Sequence, residues 1–147
     1  MSNTAVIRRS FNAAPEKVFA IFASHEQFAA ALTGPLGVKL NAVRRIKTGE
    51  GSPDGVGSVR RIGFGPTAFE ETIVKSEAPK RLEYRISKGS PLRNHRGIVS
   101  FTPTSTGGTA VDYRISFTPM IPGTGPAFAL LLEKLIGSGM RRIEKML

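Results

Sequence analysis

The hydrophobic pattern of this chain changes its period, and that change constrains the fold more than any other feature. Between Val38 and Pro119, apolar and polar residues alternate with a period of two, which is typical of half-buried strands. After the segment 122–126, which contains two prolines and two glycines, the spacing of apolar residues becomes helical. The predicted apolar side of this last helix consists of Phe128, Leu131, Leu132, Leu135, Ile136, Met140, Ile143 and Met146, and its polar side of Glu133, Lys134, Arg141 and Lys145.

Turn-forming residues divide the alternating region into six strands in meander order. The turns are predicted at residues 51–55, 63–66, 76–80, 88–94 and 104–108, each rich in Gly, Pro, Ser, Thr or Asn.

The N-terminal part adds one strand and two short helices. Residues 4–11 are predicted to form a strand, and a helix is expected to begin near Pro15, since proline is tolerated in the first helical turn. The segment 24–27 has the spacing of a capping box, which predicts a second short helix carrying Phe28 and Leu32. Gly34 and Pro35 are expected to end it.

The predicted fold class is therefore α+β, with seven antiparallel strands, two short helices after the first strand and a long C-terminal helix. A sheet of this size must twist and curve. When a curved sheet packs on a single amphipathic helix, side chains near the bend do not fill all the space between them. We therefore expect a cavity between the sheet and the C-terminal helix.

Cross-strand pairing predicts which side chains face that cavity, because residues opposite each other in an antiparallel pair share a face. The predicted pairs are Phe64–Thr67, Ile62–Phe69, Arg60–Glu71, Ile73–Tyr84, Glu71–Ile86, Tyr84–Val99, Lys88–His95, Phe101–Val111, Val99–Tyr113, Gly97–Ile115 and His95–Phe117. The ligand cavity is accordingly predicted to be lined by Arg60, Ile62, Phe69, Glu71, Ile73, Tyr84, Ile86, His95, Val99, Phe101, Tyr113, Ile115, Phe117, Phe128, Leu132 and Leu135.

Three charged or titratable residues of that set are candidates for chemistry. Arg60 and Glu71 would form an ion pair on a largely apolar wall, where they either stabilise the fold or hold a carboxylate, phenol or carbonyl group of a ligand. Glu71 could then act as a base, and His95 could transfer protons to or from a carbonyl compound. The alternative for His95 is a simple polar contact, because no orienting carboxylate is evident in the sequence.

Two tyrosines and one glycine of the inner face also allow more than one interpretation. Tyr84 and Tyr113 either donate hydrogen bonds to a ligand or are core aromatic residues. Gly97 in the middle of a strand indicates a bulge, a close approach of a helix or free space.

Several classes of site are not expected. The chain has no cysteine and only two histidines, so neither a disulfide nor a metal site is predicted. The glycine pairs at residues 49–51 and 123–125 lack the strand-to-helix context of phosphate-binding loops. No cofactor is predicted.

The charge of the chain is strongly positive. Its 147 residues include 21 Lys and Arg against 11 Asp and Glu, which gives a formal net charge of +10. Such a balance favours anionic partners, but the basic residues are spread along the chain and form no block. A solvated basic surface is the interpretation favoured here, and nucleic acid is not expected as a partner.

The N-terminal residues lack the features of a secretion signal, and the longest apolar run, 127–132, is far shorter than the roughly 20 residues that cross a bilayer. A cytoplasmic protein, monomeric or homodimeric, is the expectation.

The sequence also resembles a known family. The resemblance is carried by residues 14–19 (APEKVF), 55–61 (GVGSVRR), 69–73 (FEETI), 78–86 (APKRLEYRI), 96–97 (RG) and 108–113 (GTAVDY). These segments resemble the START-like, or SRPBCC, superfamily of helix-grip proteins, in particular its polyketide cyclase/dehydrase-like branch. The resemblance implies one domain over residues 1–147 and a hydrophobic cavity between the sheet and the final helix, and it transfers no catalytic motif.

Three functions follow as alternatives. The first is the binding of an apolar or amphipathic small molecule, lipid-like or polyketide-like, in the cavity. The second is an enzyme of the cyclase/aromatase type that uses Arg60, Glu71 or His95. The third is a basic interaction module for RNA or an acidic protein. The sequence does not decide between binding and catalysis.

Overall fold

The computed structural model describes residues 2–33, 43–62, 68–90 and 92–147. The predicted start of the second strand at Val38, the helix stop at Gly34–Pro35 and the Phe64–Thr67 turn lie outside these residues. The strands are β1 (Asn3–Phe11), β2 (Val43–Lys47), β3 (Val59–Ile62), β4 (Phe69–Glu77), β5 (Arg81–Lys88), β6 (Leu92–Pro103) and β7 (Thr109–Pro119), and the helices are α1 (Pro15–Ala23), α2 (His25–Thr33) and α3 (Gly125–Met146).

The strands form one antiparallel sheet in the order β1-β7-β6-β5-β4-β3-β2. The segment β2 to β7 is a meander, as predicted, and β1 adds to it by pairing with β7, so that Ala5 lies opposite Ile115. Register shifts interrupt the ladders in β2, β4 and β6. Such bulges bend and twist a strand, and they let this long sheet curve around α3.

The helix starts follow the sequence signals. Pro15 occupies the first turn of α1, and the backbone N–H of Gln27 donates to Ser24 Oγ at 3.2 Å, as expected from the capping-box spacing. The buried residues of α1 are Val18, Phe19, Ile21 and Phe22.

Helix α3 packs on β1 and α2 through a narrower stripe than predicted. Its buried residues are Gly125, Ile136, Gly139, Met140 and Ile143. Leu131, predicted on the apolar side, is 60% exposed, and Met146 is 43% exposed. Leu131 lies roughly 140° around the helix from Ile136, since each residue advances about 100°, and therefore points away from the sheet.

The register of the central hairpins is largely as predicted. Ile62–Phe69, Arg60–Glu71, Ile73–Tyr84 and Glu71–Ile86 are opposite pairs, as are Gly97–Ile115, Val99–Tyr113 and Phe101–Val111.

The β5–β6 register was predicted wrongly. Tyr84 lies opposite Gly97 rather than Val99, and the pairing ends at Arg85–Arg96, so His95 is not opposite Lys88. The β5–β6 ladder itself is regular from Arg81–Ser100 to Arg85–Arg96, so β5 pairs two positions earlier in β6 than predicted, because a predicted turn of seven residues does not fix its own centre. A bulge lies farther along β6 in its pairing with β7, where Asn94 has a positive φ of 51° and the register shifts between Arg93 and Arg96. Asn94 and His95 together stand against Phe117. The error is a shift of two residues, so Tyr84 keeps its inward direction.

Aromatic rings fill the core on the α1 side of the sheet. Phe22 packs edge-on against Phe101 with 5.4 Å between ring centroids, and Phe19 does so at 5.2 Å. Phe28 of α2 stacks on Tyr113 at 6.3 Å. This cluster occupies one end of the groove between sheet and helices and leaves the space at the other end.

Candidate functional site

A cavity of about 100 Å³ lies between the sheet, α2 and α3. Its described lining consists of Phe28, Ala29, Leu32, Arg60, Ile62, Phe69, Glu71, Tyr84, His95, Tyr113, Ile115, Leu132, Leu135 and Ile136. Most of these side chains are apolar, and the polar ones come from β3, β4, β5, β6 and β7. Ten of the residues predicted to face a ligand cavity are thus brought together: Arg60, Ile62, Phe69, Glu71, Tyr84, His95, Tyr113, Ile115, Leu132 and Leu135.

Six predicted residues are placed elsewhere. Ile73, Val99, Phe101 and Phe117 are buried in the core, Phe128 packs on the edge of that core, and Ile86 is half-buried beside a shallow cleft between the ends of β5 and β6. Alternation along a strand fixes the face of each residue but not its depth in the groove. Phe19 and Phe22 of α1 cover Phe101, which closes that end.

The pairing analysis missed the residues that helices contribute. Phe28, Ala29 and Leu32 of α2 and Ile136 of α3 line the cavity. The apolar spacing of Phe28 and Leu32 was visible in the sequence, but it does not show which part of the sheet a short helix covers.

Arg60 and Glu71 form a buried ion pair on the cavity wall. Arg60 Nε donates to Glu71 Oε2 at 2.7 Å, and the two side chains are 6% and 7% exposed. The guanidinium carbon lies 5.9 Å from the centroid of Phe28 and 5.8 Å from that of Tyr84. Burial is the largest effect on Arg60 and acts to lower its pKa, but the charge and hydrogen bond of Glu71 together with Tyr113 and Tyr84 outweigh it, so that the pKa is raised and the charge is kept.

The two tyrosines share a hydrogen bond beside this pair. Their hydroxyl oxygens are 2.6 Å apart, and both side chains are buried. Burial raises the pKa of Tyr84 and of Tyr113 above the ordinary value, so both remain phenols. One hydroxyl donates to the other, which leaves one hydroxyl proton without a partner among the described residues.

His95 lines the cavity from the bulge of β6. It is 9% exposed, its ring centroid is 6.3 Å from that of Tyr84, and neither ring nitrogen has a hydrogen-bond partner in the described part of the chain. Burial lowers the pKa of His95, and the negative charge of Glu71 opposes this only in part. The imidazole is therefore uncharged at neutral pH, with one donor and one acceptor nitrogen.

A second buried histidine lies outside the cavity. His25, at the start of α2, is 3% exposed, and its Nδ1 is 3.1 Å from Asp54 Oδ1 without hydrogen-bond alignment. Arg45 binds the same carboxylate through Nε at 2.9 Å and Nη2 at 2.6 Å. Burial and the charge of Arg60 lower the pKa of His25 to about 4, against the opposing effect of Asp54.

Helix α3 holds the end of α2 over the cavity. Arg142 Nη1 donates to the carbonyl oxygens of Ala31 at 2.8 Å and Leu32 at 3.5 Å, which are among the unpaired carbonyls at a helix end. Gly139 lets the helices approach closely, because a Cβ there would lie 2.8 Å from a methyl carbon of Leu32.

The residues that the structure describes offer neither a metal site nor a membrane-spanning helix. No group of three His, Asp or Glu side chains there is arranged to hold a metal ion. None of the helices in the described ranges has the length and apolar character needed to span a membrane.

A curved sheet around a C-terminal helix, with a cavity between them, defines a START-like protein of the helix-grip fold. The family described as "Polyketide cyclase / dehydrase and lipid transport" matches residues 4–147, and the chain belongs to this family. No curated protein matches the chain in sequence.

Solved structures support the same fold at low sequence identity. XoxI from Bacillus cereus is 14% identical with a TM-score of 0.70, over 98% of this chain and 94% of that one. A protein from Nitrosospira multiformis is 15% identical with a TM-score of 0.67, over 92% of each chain. Ara h 8.0201 is 16% identical with a TM-score of 0.65, over 95% of this chain and 94% of that one.

Proposed function

We propose that this protein binds an apolar or amphipathic small molecule in the cavity between the sheet, α2 and α3. The observation that carries the proposal is the cavity itself, whose walls are mainly apolar and whose few polar groups are buried. An apolar pocket with a small number of convergent polar groups is the usual form of a small-molecule site. The family description, which names polyketide chemistry and lipid transport, agrees with such a ligand.

The size of the cavity restricts the ligand. Its volume of about 100 Å³ is below the roughly 300–1,000 Å³ of most ligand pockets. A cavity of about 150 Å³ is known to hold benzene. The buried part of the ligand is therefore no larger than one ring, and a longer apolar part must pass the rim at Leu135, which is 37% exposed.

Native mass spectrometry of the purified chain, followed by titration with toluene monitored by amide NMR shifts, tests this function. Ala29→Phe places a ring in the cavity from α2, and we expect it to abolish binding. Ala20→Phe is the matched control, because Ala20 is exposed on α1 and does not line the cavity. Equal binding by both variants, or no binding of any apolar compound by the unmodified chain, would refute the proposal.

Catalysis of the cyclase/aromatase type is supported less by the geometry. Glu71 is held by Arg60, and no described residue hydrogen-bonds to His95 and orients it as a base. Substitution of Glu71 by Gln distinguishes the two functions, since loss of turnover with retained binding would indicate chemistry.

A further inference from the structure

His95 has an unmet hydrogen-bonding requirement. Both ring nitrogens are buried and unpartnered within the described ranges, although the imidazole lines the cavity. A buried polar group without a hydrogen-bond partner destabilises the folded state. The nearby Tyr84–Tyr113 pair also has one hydroxyl proton to spare. A ligand that hydrogen-bonds to these groups would offset part of this destabilisation.

The charges of the cavity wall are already balanced. The Arg60 guanidinium is paired with the Glu71 carboxylate at 2.7 Å, and the other polar groups that the described residues place on the wall are two phenols and one imidazole. A ligand carboxylate in this space would either be left uncompensated or would have to displace Glu71 from Arg60. Both outcomes are costly away from water.

We infer that the bound molecule places an uncharged hydroxyl or carbonyl group, carried on a single ring, against His95 and the Tyr84–Tyr113 pair. This inference rests on the proposed function and specifies its ligand class. Such a group accepts from a phenol or from an imidazole N–H, and a hydroxyl also donates to the second imidazole nitrogen. The ring then occupies the apolar part of the cavity, between Phe28, Ile115 and Leu132.

Four small probes test the inference on the full chain, by amide NMR titration at pH 7.5. Phenol and cyclohexanone carry the uncharged polar group, toluene lacks it, and benzoate carries a charge. We expect at least one of the first two to bind roughly tenfold more tightly than toluene and benzoate, which corresponds to about 1.4 kcal/mol.

The outcomes separate this inference from the proposed function. Toluene bound as tightly as phenol and cyclohexanone would overturn the inference but keep the cavity as a binding site. Tightest binding of benzoate would also overturn it and would assign Arg60 as an anion-binding residue. The absence of binding by every probe would remove the proposed function as well.

Two substitutions of His95 test whether its imidazole causes the selectivity for phenol and cyclohexanone over toluene. His95→Phe replaces the imidazole by an apolar ring, and it is expected to remove the preference for phenol and cyclohexanone over toluene. His95→Gln retains a donor and an acceptor and should restore part of the selectivity. Unchanged selectivity in His95→Phe would overturn the assigned role, and a thermal unfolding curve establishes that each variant is folded.

Discussion

At Gly97 the backbone of β6 leaves room for the ring of Tyr84 on the neighbouring strand. A Cβ at this position would overlap the ring carbons and hydroxyl of Tyr84, which lies opposite in the ladder. The ring has little freedom to move away, because it is buried and its hydroxyl is bonded to Tyr113. None of the three interpretations that the sequence left open for Gly97 is what the structure shows, because the space beside Gly97 is taken by the side chain of Tyr84 from the neighbouring strand.

Gly97→Ala is expected to destabilise the protein by about 1–3 kcal/mol, as overpacking of a buried site does. Urea denaturation measures this change. Gly137→Ala is the control, since a Cβ on that part of α3 would contact only the Arg141 guanidinium at 4.0 Å, and alanine favours a helix by up to about 1 kcal/mol. A smaller loss at Gly97 than at Gly137 would contradict the packing described for Tyr84.

His25 makes stability depend on pH. Its pKa in the folded chain is about 4, against 6.5 for an ordinary histidine, so below pH 6.5 the unfolded chain takes up the proton first. The free energy of unfolding therefore has its full value above pH 6.5. It decreases as the pH falls towards 4, because protonation of His25 then favours the unfolded chain. The loss between pH 7 and pH 5 should be about 2 kcal/mol.

His25→Gln, which cannot be protonated in this range, should remove most of that dependence. Unfolding free energies measured in urea at pH 7, 6 and 5 test the prediction. A smaller slope remains from His95, whose pKa is also lowered. The same slope in the variant and the unmodified chain would show that His25 does not titrate as described.

At the scale of elements, the hold of α3 on α2 controls the cover of the cavity. Arg142→Met keeps the apolar stem of the side chain but removes the donor to the Ala31 and Leu32 carbonyls. We expect a loss of about 1 kcal/mol and faster hydrogen exchange of the amides in the last turn of α2. Arg141→Met is the control, because within the described residues Arg141 hydrogen-bonds only to Ser138 on its own helix. Equal exchange in both variants would contradict this role.

Sequence reasoning predicted the elements well because their signals are local. Pro15, the Ser24 capping spacing and the alternation of β3 to β7 each depend on neighbouring residues only. The Arg60–Glu71 pair was also predictable, since it lies close to its hairpin turn.

The remaining errors concern features that depend on contacts between residues far apart in the sequence. The turn predicted at residues 88–94 is long, so its centre, and with it the β5–β6 register, could not be derived from the sequence. The bulge at Asn94 and His95 in the β6–β7 pairing has no sequence signal either. Likewise, the position of α1 over Phe101 and of α2 over the cavity depends on how whole helices pack. The exposure of Leu131 has the same origin.

At the scale of the whole molecule, the net charge is +10. Several of the arginines that contribute to it lie on the outer face of the sheet. Two carboxylates there are each shared by two arginines: Glu83 by Arg81 and Arg96, and Asp112 by Arg8 and Arg114.

Arginines also face each other across strands, at Arg85–Arg96 and at Arg44–Arg61. Like charges in opposite positions of a sheet destabilise it.

The protein should therefore become more thermally stable as NaCl rises from about 10 mM to about 100 mM, over which the screening length falls from about 30 Å to about 10 Å. Arg85→Gln should be more stable than the unmodified chain at low salt, by about 0.5 kcal/mol, and less responsive to salt. Arg141→Gln on α3 is the matched control. A melting temperature that falls with NaCl, or an equal response of both variants, would refute this account of the outer face.

The pairing of β1 with β7 also determines the order in which the sheet can form during synthesis. Ala5 and its partner Ile115 are 110 positions apart, so β1 is synthesised well before the strand with which it pairs. Until then Ile7 and Phe11, buried in the finished molecule, remain open to solvent and to other nascent chains. The pairing of β1 with β7 is consequently a late step of folding during synthesis. Truncated chains that lack β7 would expose unpaired strand edges, which promote aggregation.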